Sequence, residues 1–566
     1  MPGRAHPLGR VVDPGQSPVI GRPRACSGYH QRPARLTLRL TSQTDNPAQP
    51  IRIGTHAPSR RRTPMLRTIA IAAASTMIAT ASAAAQISTE FSAIVRNAAL
   101  GQKGYAGVSI VDLNSGATLF SSRANDPMAP ASNMKLLTSA AAVKILGPDY
   151  AFITEINITG DGKVVITGSG DPALGDPEVM KERSPAETPH DLFNTFANVV
   201  AADNDRIKEI IIDDRVFDRQ LLHPDWPRDQ LERWYCAPVQ GINIHSNVLA
   251  FYPSPGTPDT GPTCDLSPLS PWIQVENRSK RVYDGRNAVW VQRTETDNNW
   301  VIRGSIRAPS QSPIEVSMHE PATYLGNLMA DRLSGKGVIV GSGRRPQEAV
   351  RLAGQHETFN MPDTPLARHV SSLDEILYRV NYDSHNMYAE ALLKRMGNVV
   401  TGEPGSWDNG GAVIRMLIAE QLGPDHAASM IIRDGSGLSR ENRVRASTFT
   451  AWLYEMYHDN EVRPALLASL PRADTKLRSR FRFSGLESEV YAKTGTINNV
   501  RCLSGYVINP ETGQGAAFSI LVNGLTTGDA VTNSKRLHKE IVEAIDRNIH
   551  LFAMPANAES APQLGG

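Results

Sequence analysis

Small and apolar residues alternate along 104–112, Asn114, Ser115 and Gly116 then supply a turn, and Leu119 and Phe120 restore the apolar pattern over 117–120. This predicts a β-hairpin, in which the period of two decides which side chains face a core. A helical pattern precedes it over 87–99. A second follows it, where Leu136-Leu137-Thr138-Ser139-Ala140-Ala141-Ala142-Val143 is apolar on every side, as suits a helix enclosed by other elements. From about 151 to 316 the texture changes to short β-like runs, such as 152–156 and 164–167, divided by Gly and Pro turns. Helical texture resumes over 321–333, 373–395 and 410–422. Strands are predicted over 489–493, 502–508 and 516–522, before a closing helix over 534–548 whose mixed charge and single apolar stripe suit packing on a sheet. The expected organisation is one α/β domain in two parts, 86–150 and 317–553, around a β-rich insertion over 151–316, with a polar, flexible tail over 554–566.

Composition changes this picture mainly at the N-terminal end. Met65-Leu66-Arg67-Thr68 leads into an apolar run over 69–79 and then small residues to Ala85, which together read as a secretory signal peptide over 65–85. Its apolar core is about half the length a membrane-spanning helix needs. The 64 residues upstream hold 11 Arg, no Lys, 2 Asp and 10 Pro without sustained apolar periodicity, so they cannot build a core. Translation is expected to start at Met65, the other reading of 1–64 being a disordered basic arm. Ser59-Arg60-Arg61 is a weak twin-arginine pattern, lacking the apolar residue after the pair. Residues 1–85 carry 12 Arg and 2 Asp, so without them the formal net charge falls from +2 to −8. The basic balance vanishes, and with it any suggestion of nucleic-acid binding. Cys236, Cys264 and Cys502 remain; a Cys236–Cys264 disulfide and three buried thiols are both open readings. No C-x-x-C pair and no H-E-x-x-H occurs, so neither a metal nor another cofactor is expected.

Three short motifs carry the candidate chemistry: Ser132-Asn133-Met134-Lys135, Ser384-His385-Asn386 and Lys493-Thr494-Gly495. Each alone is common in a chain of this length. Their order and setting say more. Ser132 opens the enclosed helix, and residues three apart share a helix face, so its hydroxyl and the Lys135 amine can meet. A serine hydroxyl becomes a useful nucleophile when a base takes its proton, and lysine is such a base only where desolvation or a nearby cation lowers its pKa. Lys493 is the expected second cation. The pattern therefore points to acyl transfer through a serine ester.

The trio is that of β-lactamases and penicillin-binding proteins. With 252 residues between Ser132 and Ser384, the chain resembles the class C low-molecular-mass penicillin-binding proteins, which are D-alanyl-D-alanine carboxypeptidases and endopeptidases, over about 87–548. Further stretches similar to that family are Gly170-Asp171-Pro172-Ala173-Leu174, Trp234-Tyr235-Cys236-Ala237-Pro238, Asn386-Met387-Tyr388-Ala389-Glu390, Gly405-Ser406-Trp407 and Asp434-Gly435-Ser436-Gly437-Leu438-Ser439. The resemblance implies an α/β (α+β) fold: a serine β-lactamase/transpeptidase-like domain, with a five-stranded antiparallel sheet built from both chain ends and a long β-rich insertion. It implies a periplasmic serine D,D-peptidase that acts on peptidoglycan stem peptides and takes β-lactams as covalent inhibitors, without a stable membrane anchor.

Roles follow from the same resemblance. Ser132 is the nucleophile, Lys135 its base, and Ser384 carries the proton to the leaving amine. Asn386 holds Lys135 and the substrate backbone. Lys493 and Thr494 bind the terminal carboxylate, Gly495 lets the strand approach the substrate, and the N–H groups of Ser132 and Thr496 form an oxyanion hole. Asp229 is the candidate for recognising the amino end of the stem peptide. His385 is read as a bystander, and Glu403 as part of a helix-leading block with no deacylating role. The rival readings are a β-lactamase or esterase on the same scaffold and a catalytically idle wall-binding protein.

Overall fold

A computed structural model of the chain describes residues 86–555, apart from 184 and 295–297. The extension over 1–64, the leader over 65–85 and nearly all of the tail over 554–566 lie outside the described residues.

The hairpin forms between Tyr105–Asp112 and Thr118–Ser122, its register shifting between Ile110 and Val111. Tyr105–Asp112 also pairs along its whole length with Gly515–Asn523, Tyr105 opposite Asn523 and Asp112 opposite Ala516. Val500–Ile508 and then Glu489–Ile497 extend the sheet, giving five antiparallel strands with Glu489–Ile497 at one edge. The period of two divides the sheet's two faces. Phe518, Ile520 and Val522 pack with Ile87 and Phe91 of the helix over 86–96 and with Leu537 and Ile541 of Gly528–Asn548. Ala517 and Leu521 face the helical layer that contains Met134–Leu146 and Ala446–His458. Met134–Leu146 is buried at every position from Met134 to Val143, so its polar members, Lys135 included, are held away from water.

The helical run expected over 373–395 is two helices, Leu373–Asn381 and Asn386–Thr401. Ser384 between them has φ +63°, outside the right-handed helical region, which stops one helix and re-aims the next. The polar run Asn381-Tyr382-Asp383-Ser384-His385-Asn386 interrupts the apolar pattern between Val380 and Met387 and marks this break in the sequence.

The insertion is longer than expected. Its largest sheet runs Val350–Leu352, Ile210–Asp213, Val164–Gly168, Ala151–Ile158, Ala367–Ser372, so the boundary placed at 316 lies instead past Ser372. The helix Pro321–Gly335, expected in the catalytic part, belongs here too: Leu325 and Met329 share a core with Phe193 and Val200 of Pro189–Ala201. A helical pattern alone does not say which sheet will receive its apolar face. Smaller sheets, including one of Ile314–Ser317, Val248–Ser254 and Thr263–Ser267, complete this part. Cys236, Cys264 and Cys502 are free thiols. Among the described residues, no helix is long and apolar enough to cross a membrane.

Candidate active site

Ser132 lies in the single turn Ala131–Asn133 that leads into Met134–Leu146. The turn is wedged between two glycines. A Cβ on Gly437 would come 1.8 Å from the Ala131 carbonyl oxygen, and one on Gly495 would come 2.8 Å from that of Pro130. Only glycine lets either backbone approach so closely. Gly495 therefore lets the edge strand pack against the Ser132 turn. Asn133 ties the turn to the sheet by donating to Ser504 Oγ at 2.6 Å.

Lys135 Nζ lies 3.4 Å from Ser132 Oγ, 2.7 Å from Asn386 Oδ1 and 2.8 Å from the Ser436 carbonyl oxygen. Burial pushes this amine down to about 7, against the opposing pull of Glu390 and Asp434. Desolvation is thus the main cause, where the charge of Lys493 had been expected. Of the three neighbours only the serine hydroxyl can donate a proton, since Asn386 Oδ1 and the Ser436 carbonyl are acceptors. When Lys135 is neutral its two N–H groups satisfy those acceptors and its lone pair faces Ser132.

At the helix break, Ser384 Oγ accepts from Lys493 Nζ at 2.8 Å. The Lys493 amine is held well below the usual lysine range, first by burial and then by the cations Lys135, Lys476 and Arg480. Asn386 donates its amide to the Tyr235 carbonyl at 2.8 Å, so it couples Lys135 to the insertion. His385 is buried between Trp234 and Tyr388, its imidazole pushed down to about 3 by burial and by Arg379. It lines a neighbouring cavity with Asp176 and Arg379 and is neutral at ordinary pH.

Ser132, Ser384, Asn386, Thr496 and Asp229 line one open cavity of about 670 Å³. Thr494 does not line it; its Oγ1 and that of Thr496 accept from Arg480, at 3.5 and 2.7 Å. Asp229 is exposed on the cavity wall, and Arg440 and Arg501 are further wall residues. The three arginines were not singled out from sequence. The run Lys476-Leu477-Arg478-Ser479-Arg480, shortly before Lys493, was the available signal for Arg480. A loop of the insertion lines the cavity with Asp225 and Pro227, and between them Trp226 Nε1 donates to Asp434 Oδ2 at 3.0 Å.

The Ser132 turn on this cavity, with the buried Lys135 amine next to it, agrees with what comparison finds. The D-Ala-D-Ala carboxypeptidase 3 (S13) family matches residues 87–546. The chain belongs to this family. It is 30% identical to the D-alanyl-D-alanine carboxypeptidase of Actinomadura sp. (strain R39) over 516 residues, 86% of this chain and 91% of that one. It is 25% identical to the D-alanyl-D-alanine carboxypeptidase DacB of Haemophilus influenzae, covering 72% of this chain and 83% of that one. The crystal structure of penicillin binding protein 4 from Haemophilus influenzae has the same fold, with a TM-score of 0.63 at 22% identity over 80% of this chain and 99% of that one. This chain is accordingly a serine carboxypeptidase of the S13 family, with a penicillin-binding, β-lactamase-like fold.

Proposed function

We propose that this S13 enzyme cleaves D-Ala-D-Ala-type bonds in peptidoglycan stem peptides, as a carboxypeptidase and endopeptidase, through an ester on Ser132. The supporting observation is the Lys135 amine, buried, 3.4 Å from Ser132 Oγ and shifted to about 7. Ser132 Oγ attacks the carbonyl carbon of the penultimate D-Ala while its proton passes to Lys135. The oxygen charge of the tetrahedral intermediate is met by the N–H groups of Ser132 and Thr496. The C–N bond then breaks, and a proton relayed from Lys135 through Ser384 reaches the departing amine. Water repeats the sequence in reverse roles and frees Ser132.

Lys493 and Thr494, reinforced by Arg480, supply the charge and hydrogen bonds for the terminal carboxylate. Asp229 and Arg440, of opposite charge on the same cavity wall, suit a stem-peptide end that carries both an ammonium and a carboxylate. β-Lactams acylate Ser132, a reading supported by the complex of the Haemophilus influenzae protein with a β-lactam. The leader pattern over 65–85 and the substrate both favour a periplasmic location. Intact mass of the native protein with a penicillin, followed over time, tests the proposal. A lasting adduct absent from Ser132→Ala is expected; rapid loss of adduct and drug would make the protein a β-lactamase, and no adduct on the native chain would overturn the serine mechanism.

A further inference from the structure

Behind Lys135 lies a second buried group that the mechanism above leaves without a task. Glu390, on Asn386–Thr401, is fully buried, and its carboxylate accepts three hydrogen bonds. Gly435 N–H donates to Oε2 at 2.8 Å, Ser436 N–H to Oε1 at 2.9 Å and Trp407 Nε1–H to Oε2 at 2.9 Å. The first two are consecutive backbone groups of one loop, and the carbonyl of Ser436 is the acceptor that holds Lys135 Nζ at 2.8 Å. Asp434 fixes the rest of the loop, accepting from Gly437 N–H at 2.8 Å and Ser439 N–H at 2.6 Å. One carboxylate thus sets the position of the carbonyl that aims the base.

We propose that Glu390 is a positioning residue for acylation, which fixes the Ser436 carbonyl against Lys135 and so aims that amine at Ser132. This rests on the Ser132 ester reading. The charged groups around Glu390 are Lys135 from the nucleophile helix, Asp434 from the loop and Lys394 one turn along its own helix; His223 stands behind Asp434, and Lys493 acts through Lys135. Burial, then the charge of Asp434, push the Glu390 carboxyl above its usual range, while Ser436, Gly435 and Trp407 pull against that shift. A negative Glu390 raises the Lys135 pKa. Removing that charge therefore lets Lys135 lose its proton at lower pH.

The test is the rate of Ser132 acylation by a fluorescent penicillin between about pH 5 and 9. Glutamine in Glu390→Gln keeps the shape but sets an N–H₂ against donor N–H groups, which displaces the loop. For Glu390→Gln the rate at neutral pH should fall about 10- to 100-fold, the scale of small misplacements of reacting groups. Its acidic limb should also move to lower pH. Glu390→Asp, which retains the charge and shortens the reach, should lower the rate without moving the limb. An unmoved limb in Glu390→Gln reduces Glu390 to a structural role and overturns the proposal. If that variant does not fold, Trp407→Phe removes one donor, weakens the carboxylate and should move the limb the same way by less; a native limb there overturns the proposal equally. Failure of the native chain to form any adduct would overturn the Ser132 reading and this one with it, whereas a native adduct with unmoved limbs in the variants overturns this one alone.

Discussion

The five-stranded sheet that ends in Lys493 and the five-stranded sheet of the insertion handle charge in opposite ways. Around the first, Lys135, Lys493 and Glu390 are almost wholly buried, and among the described residues neither lysine lies within ion-pair distance of a carboxylate. Around the second, exposed charges are paired, as in Arg351 with Glu209 and Glu357, or Arg368 with Glu155, and the buried Asp176 and Asp214 keep arginine partners, Arg379 and Arg219. A buried ammonium without a counter-ion costs stability, and its pKa falls. Two lysines buried without a carboxylate partner thus separate the sheet that carries the candidate site from the supporting one more sharply than strand number or order does.

The widest test of this contrast is Lys135→Met. Acylation should fall by at least about 10³-fold, the scale seen when a proton-transfer partner is removed, while stability at neutral pH holds or rises by about 1–2 kcal/mol. The pH dependence has a definite sign. The folded-state pKa of Lys135, about 7, lies below the usual 10.5, so between these values the unfolded chain binds more protons and native stability rises with pH. Urea unfolding at several pH values across that window should show a smaller rise in the Met variant. An equal rise in both proteins would mean that the burial of Lys135 is not linked to folding.

Asp176 tests the border between the two regions. It belongs to the insertion, is fully buried, and accepts from Arg379 at 3.0 Å as well as from Tyr388 and Ser246. Desolvation alone would raise its pKa; Arg379 and the Tyr388 hydrogen bond outweigh it and hold the carboxyl at about 2. Asp176→Asn leaves Arg379 buried with less compensation and should cost about 3–5 kcal/mol in denaturant unfolding. A carboxylate depressed by folding contributes stability above its unfolded pKa, 3.8, and loses it as pH falls through about 2. The native protein should weaken across that acid window, and the variant should lack this component. Arg379 also accepts the His385 N–H at 3.0 Å through its carbonyl, next to Ser384, so slower acylation should accompany the loss of stability.

The contrast also explains what could be read from the chain. Strands such as 502–508 and 516–522 were legible because period-two alternation survives in an enclosed sheet, and the three motifs because each keeps its hydroxyl, amide or amine side chains within a few positions. The break at Ser384 had a signal in the polar run 381–386, which a reading of 373–395 as one helix passes over; the positive φ that re-aims the second helix has no such signature. The insertion's end at Ser372 depends on a pairing between 151–158 and 367–372, across more than 200 residues, which composition does not encode. Glu390 stood in a quoted stretch without a role, because its partners Gly435 and Ser436 act through backbone N–H groups that have no residue signature. Gly495 was noticed for its missing side chain, but which neighbour needed the space was visible only once the strand met the turn at Pro130.

The smallest expected effect lies in the insertion and bounds the contrast from below. Arg351 bonds Glu357 at 2.7 Å and Glu209 at 3.1 Å, with the side chains of Arg351 and Glu357 still 38% and 28% exposed. Hydrogen bonds from Arg351 hold the Glu357 carboxyl down at about 2, so the pair acts above the usual 4.5 and fades as pH falls towards 2. Water and salt reach both partners, and exposed pairs of this kind stabilise by at most about 1 kcal/mol. Arg351→Ala should therefore shift the unfolding midpoint slightly, by an amount that shrinks further at high ionic strength, and should leave the acylation rate unchanged. A loss as large as that expected for Asp176→Asn would show that this outer pair, too, is poorly reached by solvent, and the separation drawn between the two sheets would fail.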